Sequence, residues 1–402
     1  MNINIFKTAV LSNCLLVQSV VAAGTFGTDA DFLKKHVDLV VLQDEAGEAK
    51  VAVAPGWQGR VMTSTAGGDD GASYGWINHE LIASGKLQPH INAFGGEDRF
   101  WLGPEGGQFA LFFAKGAPFD LQHWQTPAAI DTMPYQVVSK SAESVKVSAQ
   151  FPVTNYSGTK FDVKIDRTVR LLDAATAWKK LSLQPPEDVK LVAYESENTL
   201  TNAGDAPWKK DTGLLSIWIL GQFNPSPRTT IVVPFNAGPV SKLGVKVTSN
   251  YFGEVPPERL TVRNHVVYFS GDGQYRSKIG FNPQRSKGVL GSYDAENKVL
   301  SLVQFNQPEG VTDYVNSLWK VQDHPYAGDA ENSYNDGPPS PGAKPLGPFY
   351  EMESSSPAAE LAPGQSITHI HTTMHLSGPE GSLDAVSQAI LGVSLKEIES
   401  RR

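Results

Sequence analysis

Cysteine is almost absent: Cys14 is the only one in 402 residues, and it lies among the first 23. A chain cut near Ala23 keeps no thiol, which excludes disulfides, thiolate metal sites and thiol catalysis. Basic charge is short as well. Lys and Arg number 34 against 42 Asp and Glu, a net charge of −8 that becomes −9 when Lys7 leaves. Phosphate-backbone affinity comes from clustered Lys and Arg, so no nucleic-acid partner is expected. A Walker loop and a dinucleotide fingerprint after a strand are both missing. Nothing therefore supports an NTPase or a dehydrogenase, and no cofactor is expected.

The chain opens with a short n-region holding Lys7, an apolar run over 8–21, and a small-residue cleavage site with Val21 and Ala23 at its ends. These three zones describe a secretory signal peptide over 1–23. Ser12, Asn13, Gln18 and Ser19 interrupt the run, which falls short of the ~20 apolar residues of a membrane span. Cys14 follows Asn13 and precedes the end of the run, which argues against lipidation. The expectation is an exported protein, periplasmic or extracellular, with no membrane anchor after cleavage and with 24–402 forming one domain. A core of that size can be stable without crosslinks, because the buried fraction of surface rises with length.

Glycine and proline number 37 and 27 and punctuate short apolar-alternating segments, the pattern of many strands joined by turns. Residues 161–171 alternate most clearly. Phe161, Val163, Ile165, Val169 and Leu171 take one side, and Asp162, Lys164, Asp166 and Arg170 the other, as in a half-buried antiparallel strand. Strands are also expected over 145–151, 214–220, 229–234, 260–269 and 299–305. Several are apolar on both faces, which two stacked sheets would bury. Helical signal is confined to the ends, with a cap at 28–31 for a helix to about His36 and helical spacing over 383–399. The Pro/Gly-rich stretch 335–348 reads as a long ordered loop within one large domain. The fold class is all-β.

Five segments carry candidate chemistry. Residues 95–109, GGEDRFWLGPEGGQF, pack Glu97, Asp98, Arg99 and Glu105 among glycines beside Phe100 and Trp101. Glycine lets backbone approach a ligand, and an aromatic ring amid carboxylates and Arg can stack on a sugar whose hydroxyls are hydrogen-bonded. A pair of tight turns with Arg99 paired internally fits the same residues. Residues 323–339, DHPYAGDAENSYNDGPP, hold His324, Asn335 and Asp336. Their oxygens could hold calcium, but the spacing is not that of an EF-hand, and a sugar-facing loop or a plain Asn-Asp-Gly turn fits at least as well.

In 349–353, strand geometry puts Glu351 and Glu353 on one face and Tyr350 and Met352 on the other. Neighbouring carboxylates repel, which raises one pKa and can supply a general acid or base; a solvent-facing edge pair is the alternative. His369, His371 and His375 would share a strand face and could bind zinc or copper. Histidines interleaved with threonines on a sheet surface are more ordinary, no carboxylate in the segment completes a set, and no metal is expected. Residues 194–202, YESENTLTN, place Glu195 and Glu197 on one face of a strand that ends in a turn.

Read in order, GRVMTST at 59–65, GGEDRFWLGPEGGQF, ENTLTNAGDAPW at 197–208, NSYNDGPP at 332–339 and LGPFYEMESSSPAAELAPG at 346–364 suggest a family. Over nearly all of the mature chain they resemble exported bacterial proteins with the galactose mutarotase-like (aldose 1-epimerase-like) fold. The resemblance implies a large twisted antiparallel β-supersandwich with short terminal helices and a concave sheet that binds a sugar. Members of that superfamily include epimerases, hydrolases, lyases and binding domains. It also implies a general base near the C-terminus acting on the anomeric hydroxyl. By position, Glu353 or Glu351 matches that carboxylate, each followed by Pro357 and the LAPG turn, with Glu353 preferred.

The departure lies in the histidines. Mutarotases carry one shortly after their Asn-x-Thr-Asn strand, whereas none occurs here between His123 and His265. His90 and His324 are the candidate proton donors instead, with Arg99 as a clamp. The expected partner is a carbohydrate ligand, bound through Glu97, Asp98, Arg99, Trp101, Glu105, Asn335 and Asp336. If the protein is an enzyme, proton transfer by paired side chains gives epimerisation, with lyase elimination or two-carboxylate hydrolysis as alternatives. The missing histidine favours a non-catalytic glycan-binding or scaffold module.

Overall fold

Alternation along the strands builds two antiparallel sheets that share an apolar interior, in a computed structural model that describes residues 24–400. The expected signal peptide, residues 1–23, lies outside the described residues. The larger sheet runs, edge to edge, Leu260–Arg263, Val266–Ser270, Thr229–Pro234, Val289–Asp294, Val299–Phe305, Ser366–Ser377, Lys190–Asn202, Lys160–Leu171, Ser144–Thr154 and Gln136–Lys140. The smaller runs Ser277–Phe281, Glu331–Asn335, Tyr350–Ser355, Ser216–Phe223 and Arg99–Gly103. A third sheet, Val40–Gln43, Lys50–Ala54 and Arg60–Thr65, adjoins the pair through a bridge between Val61 and Asp98. The all-β supersandwich is thus the observed architecture.

Between the two large layers lie Ile231, Val233, Val303, Ile279 and Met352 toward one end, and Val163, Ile165, Phe100, Ile217 and Ile219 toward the other. Each such side chain contributes about 1.5–3 kcal/mol when fully removed from water. Residues 161–171 alternate as expected, but Arg167 shares the buried side with the aliphatics. It is tolerated there because it donates to Asp98 Oδ1 at 2.5 Å and Asn198 Oδ1 at 2.5 Å; a buried charge persists only when paired and hydrogen-bonded.

The outer face of the larger sheet is covered by helices Ala174–Leu181, Glu380–Leu391 and Leu395–Glu399, whose Trp178, Leu181, Leu383, Val386 and Ile398 pack on Ala193, Met374 and Leu376. Helix is therefore not confined to the ends. Asp173 starts the internal one by accepting from the Thr176 backbone N–H at 2.9 Å, an N-cap interaction. The first helix spans Phe26–Leu33 with Thr25 as its cap, a few residues ahead of the expected start. The expected strand 260–269 is a hairpin instead. Asn264 and His265 adopt φ of 48° and 65°, the left-handed pair that a two-residue turn requires.

Candidate functional site

Tyr350–Ser355 is the central strand of the smaller sheet, and its alternation decides where the two glutamates point. Tyr350 and Met352 pack in the core between the sheets. Glu351 and Glu353 therefore lie on the opposite face, away from the larger sheet. On this face Glu353 stands opposite Asn332 and Leu220, and Leu220 in turn opposite Arg99; Glu351 stands between Tyr334 and Gln222. Lys278, Trp218 and Trp101 complete the face by the same parity.

The groups form a closed electrostatic cluster. Glu353 Oε2 accepts from Lys278 Nζ and from Trp218 Nε1, each at 2.9 Å. The Arg99 guanidinium pairs with the Glu351 carboxylate. Arg99 also lies 5.0 Å from the Trp101 ring centroid, and Lys278 Nζ 4.6 Å from that of Trp218. The two indoles meet edge to face at 5.5 Å and 77°. Glu105, half-buried on the loop after Arg99–Gly103, accepts from Trp124 Nε1 at 2.9 Å.

Burial dominates the proton affinities here. It pushes the Glu351 carboxyl up to about 7, against the opposing pull of Arg99 and with the help of the neighbouring Glu353 charge. It raises Glu105 and Asp336 in the same direction. Burial works against the Lys278 ammonium, but Glu353 and Glu105 outweigh it and the pKa is raised. Asp329, hydrogen-bonded to Tyr251, is lifted by burial to about 6. A cavity of about 60 Å³ opens beside Lys278, lined by Trp218, Tyr251, Asp329 and Asn332. Among the described residues, the buried atoms on the face without a hydrogen-bond partner include Glu353 Oε1, Arg99 Nε, Trp101 Nε1 and Gln222 Oε1.

Aromatic side chains from the surrounding loops roof the cluster. Phe252 lies edge-on to Trp319 and Tyr334 at 6.3 and 6.0 Å, and the Arg276 guanidinium rests 3.7 Å from its ring centroid. Asp336 accepts from Tyr334 OH and from the Gly347 backbone N–H, both at 2.8 Å, and so ties down the Pro/Gly-rich loop.

Of the residues read from the sequence, Arg99, Trp101, Glu105, Asp336, Glu351 and Glu353 gather here. Glu97 and Asp98 do not, because the strand begins only at Arg99 and Asp98 is held by its bridge to Val61. Glu97 is buried beside the larger sheet, where it accepts from Ser64 N at 2.6 Å, Tyr194 OH at 3.0 Å and His375 Nε2 at 3.0 Å. Asp98 is the partner of Arg167. Asn335 points to the opposite face from Tyr334 and holds the turn before Ser277–Phe281 through the Gly273 N–H and Tyr275 carbonyl. His90 and His324 are both solvent-exposed. His90 Nδ1 is bonded to the Trp124 carbonyl at 2.7 Å. Neither histidine is bonded to a cluster residue.

His369 and His371 are buried between the sheets, both on Ser354 Oγ at 2.7 and 2.8 Å. His375 bridges Ser301 and Glu97. Among the described residues no group of His, Cys, Asp and Glu has the arrangement of a metal site. Glu195 and Glu197 sit on the outer face of the larger sheet with Lys180 and Arg170.

A family model matches residues 24–402. The chain belongs to this family of unknown function, DUF6786. No curated protein matches it. This family member has distant likenesses among solved structures. One is a protein from Synechocystis sp. PCC 6803, 13% identical, covering 85% of this chain and 96% of that one, with a TM-score of 0.49. Another is a galactose mutarotase-like protein from Lactobacillus casei ATCC 334, at 13% identity, 84% and 100% coverage and a TM-score of 0.48. A galactose mutarotase related enzyme from Lactobacillus acidophilus gives 10%, 84%, 97% and 0.45. These likenesses fix neither reaction nor ligand.

Sequence reasoning missed Lys278, Trp218, Gln222, Tyr334 and Tyr251 as members of the site. Lys278 alone left a signal: it interrupts the short apolar strand SKIGF at a position whose neighbours by alternation face away from the core. A lysine buried there needs a carboxylate opposite.

Proposed function

We propose that this DUF6786 protein binds a sugar ring on the outer face of its smaller sheet and moves protons on it, as an aldose epimerase does. The observation that carries the reading is the set of unpartnered buried polar atoms beside two tryptophans. Such a surface offers a ring an apolar platform together with donors and acceptors for its hydroxyls. Arg99 Nε and Trp101 Nε1 are the donors, Glu353 Oε1 and Gln222 Oε1 the acceptors.

In this reading Glu353 takes the anomeric hydroxyl proton through Oε1, while Lys278 holds its other oxygen in place. Glu351, whose pKa of about 7 suits a group that must both give and regain a proton at neutral pH, protonates the ring oxygen. The two carboxyls stand two residues apart on one strand, roughly 7 Å along the backbone, and the two oxygens they serve share one carbon. Ring opening and reclosure then return both protons. We place the protein outside the cytoplasm, in keeping with its signal-like N-terminus.

A non-catalytic glycan binder is the second reading, and the position of the histidines favours it: among the described residues none is bonded to Glu351, Glu353, Lys278 or Arg99. NMR exchange spectroscopy on α- and β-hexoses separates the two. Anomer exchange above the buffer rate that falls at least 100-fold in Glu353→Gln supports the enzyme. Saturable binding without exchange supports the binder, and neither on any hexose overturns both.

A further inference from the structure

The ligand's charge class can be argued from the same face, and the argument rests on the sugar-site reading above. Five carboxylates converge around it: Glu351 and Glu353 on the central strand, Glu105 and Asp329 on flanking loops, and Asp336 at the rim. Their mutual influence extends across the group, for Lys278 feels Glu353, Glu105 and Glu351, and Glu351 feels Glu353 and Asp336. Among the described residues, three cations answer them. Arg99 is committed to Glu351 and Lys278 to Glu353, while the Arg276 guanidinium rests over the Phe252 ring.

The walls add to the imbalance. Trp101, Trp218, Tyr251 and Phe252 present ring faces that already attract the three resident cations, and a ring face is the negative pole of its quadrupole. An acceptor-only oxygen, Glu353 Oε1, is buried on the face without a donor. We infer that the ligand bears a positive charge, in chemical class a protonated amine on a polyhydroxylated ring, such as an amino sugar. A uronic acid or sugar phosphate would bring a further negative charge to cations that are already engaged. Burial is the main cause of the raised proton affinities of Glu105, Asp329, Asp336 and Glu351, and the Glu353 charge adds to it at Glu105 and Glu351.

Isothermal titration calorimetry at pH 7 tests this with glucose, glucosamine and glucuronate, and with galactose, galactosamine and galacturonate. The expected result is an amino sugar at least tenfold tighter than its parent hexose, a difference of about 1.4 kcal/mol, with the uronate weakest of each three. The preference should shrink as salt is raised. In Glu105→Gln, which keeps an acceptor for Trp124, and in Asp336→Asn, the amine-to-hexose ratio should fall several-fold. Hexoses binding as tightly as their amines, or uronates binding tightest, would overturn the charge inference and leave the sugar site standing. No binding by any of the six would overturn both.

Discussion

Removing the Lys278 side chain is the sharpest perturbation of the cluster. Lys278 is 7% exposed, Glu353 fully buried, and their atoms are 2.9 Å apart. Lys278→Met keeps the length of the stem but leaves a buried carboxylate whose remaining donor is Trp218 Nε1. Breaking a buried pair from one side costs about 3–5 kcal/mol, because the surviving charge is stranded. The roughly 380 residues that follow Ala23 have an unfolding entropy near 0.8 kcal/mol/K at about 2.1 cal/mol/K per residue, so Tm should fall by about 4–6 °C. Urea denaturation and calorimetry at pH 7 measure both. Lys278→Met/Glu353→Leu, which removes both charges, should recover at least about 2 kcal/mol of the loss. A loss under about 1 kcal/mol in the single variant, or a double variant no more stable than the single one, would refute the ion pair as drawn.

Other variants probe the scaffold behind the face. The unfolded chain takes up a proton at His371 near pH 6.5, which burial withholds from the folded chain until about pH 4. That histidine therefore costs stability as pH falls through this window, by about 1.4 kcal/mol per pH unit. Measured against wild type by denaturant titration, His371→Gln should gain about 3 kcal/mol between pH 6.5 and 4; a constant difference would contradict a neutral buried imidazole. Glu97→Gln turns an amide toward the Ser64, Tyr194 and His375 donors and should cost about 3 kcal/mol or more in urea unfolding. At Gly95, φ is +99° and an added Cβ would sit 2.0 Å from the Trp76 carbonyl oxygen. Gly95→Ala should therefore lower Tm by several degrees, whereas an unchanged Tm would show that the turn can relax.

How much of this was legible in the sequence depended on periodicity. Two-residue alternation located 161–171, 229–234 and 299–305 and set Glu351 and Glu353 on one face, because strand geometry is local. It could not show which side of Tyr350–Ser355 met the larger sheet, nor that Lys278, some 75 positions away, would lie against Glu353. Arg167 occupied an aliphatic position of a clear pattern, and its partners lie elsewhere in the chain: Asp98 just ahead of Arg99–Gly103, and Asn198 opposite Arg167 on the neighbouring strand Lys190–Asn202. The GGEDR motif read as one recognition element, yet it is divided by the start of its strand: Arg99 joins the cluster, while Glu97 and Asp98 are buried in the scaffold. His90 and His324 lie near glycine-bearing motifs in sequence, but loops at the surface carry them away from the carboxylates.

The most direct test of the sugar-binding face is a crystal structure of the protein soaked with an amino sugar and its parent hexose. The account predicts a ring packed on Trp101 or Trp218, with hydroxyls within 3.2 Å of Glu353 Oε1 and Arg99 Nε. A ring bound elsewhere on the protein, or the same face unchanged at saturating sugar, would contradict it.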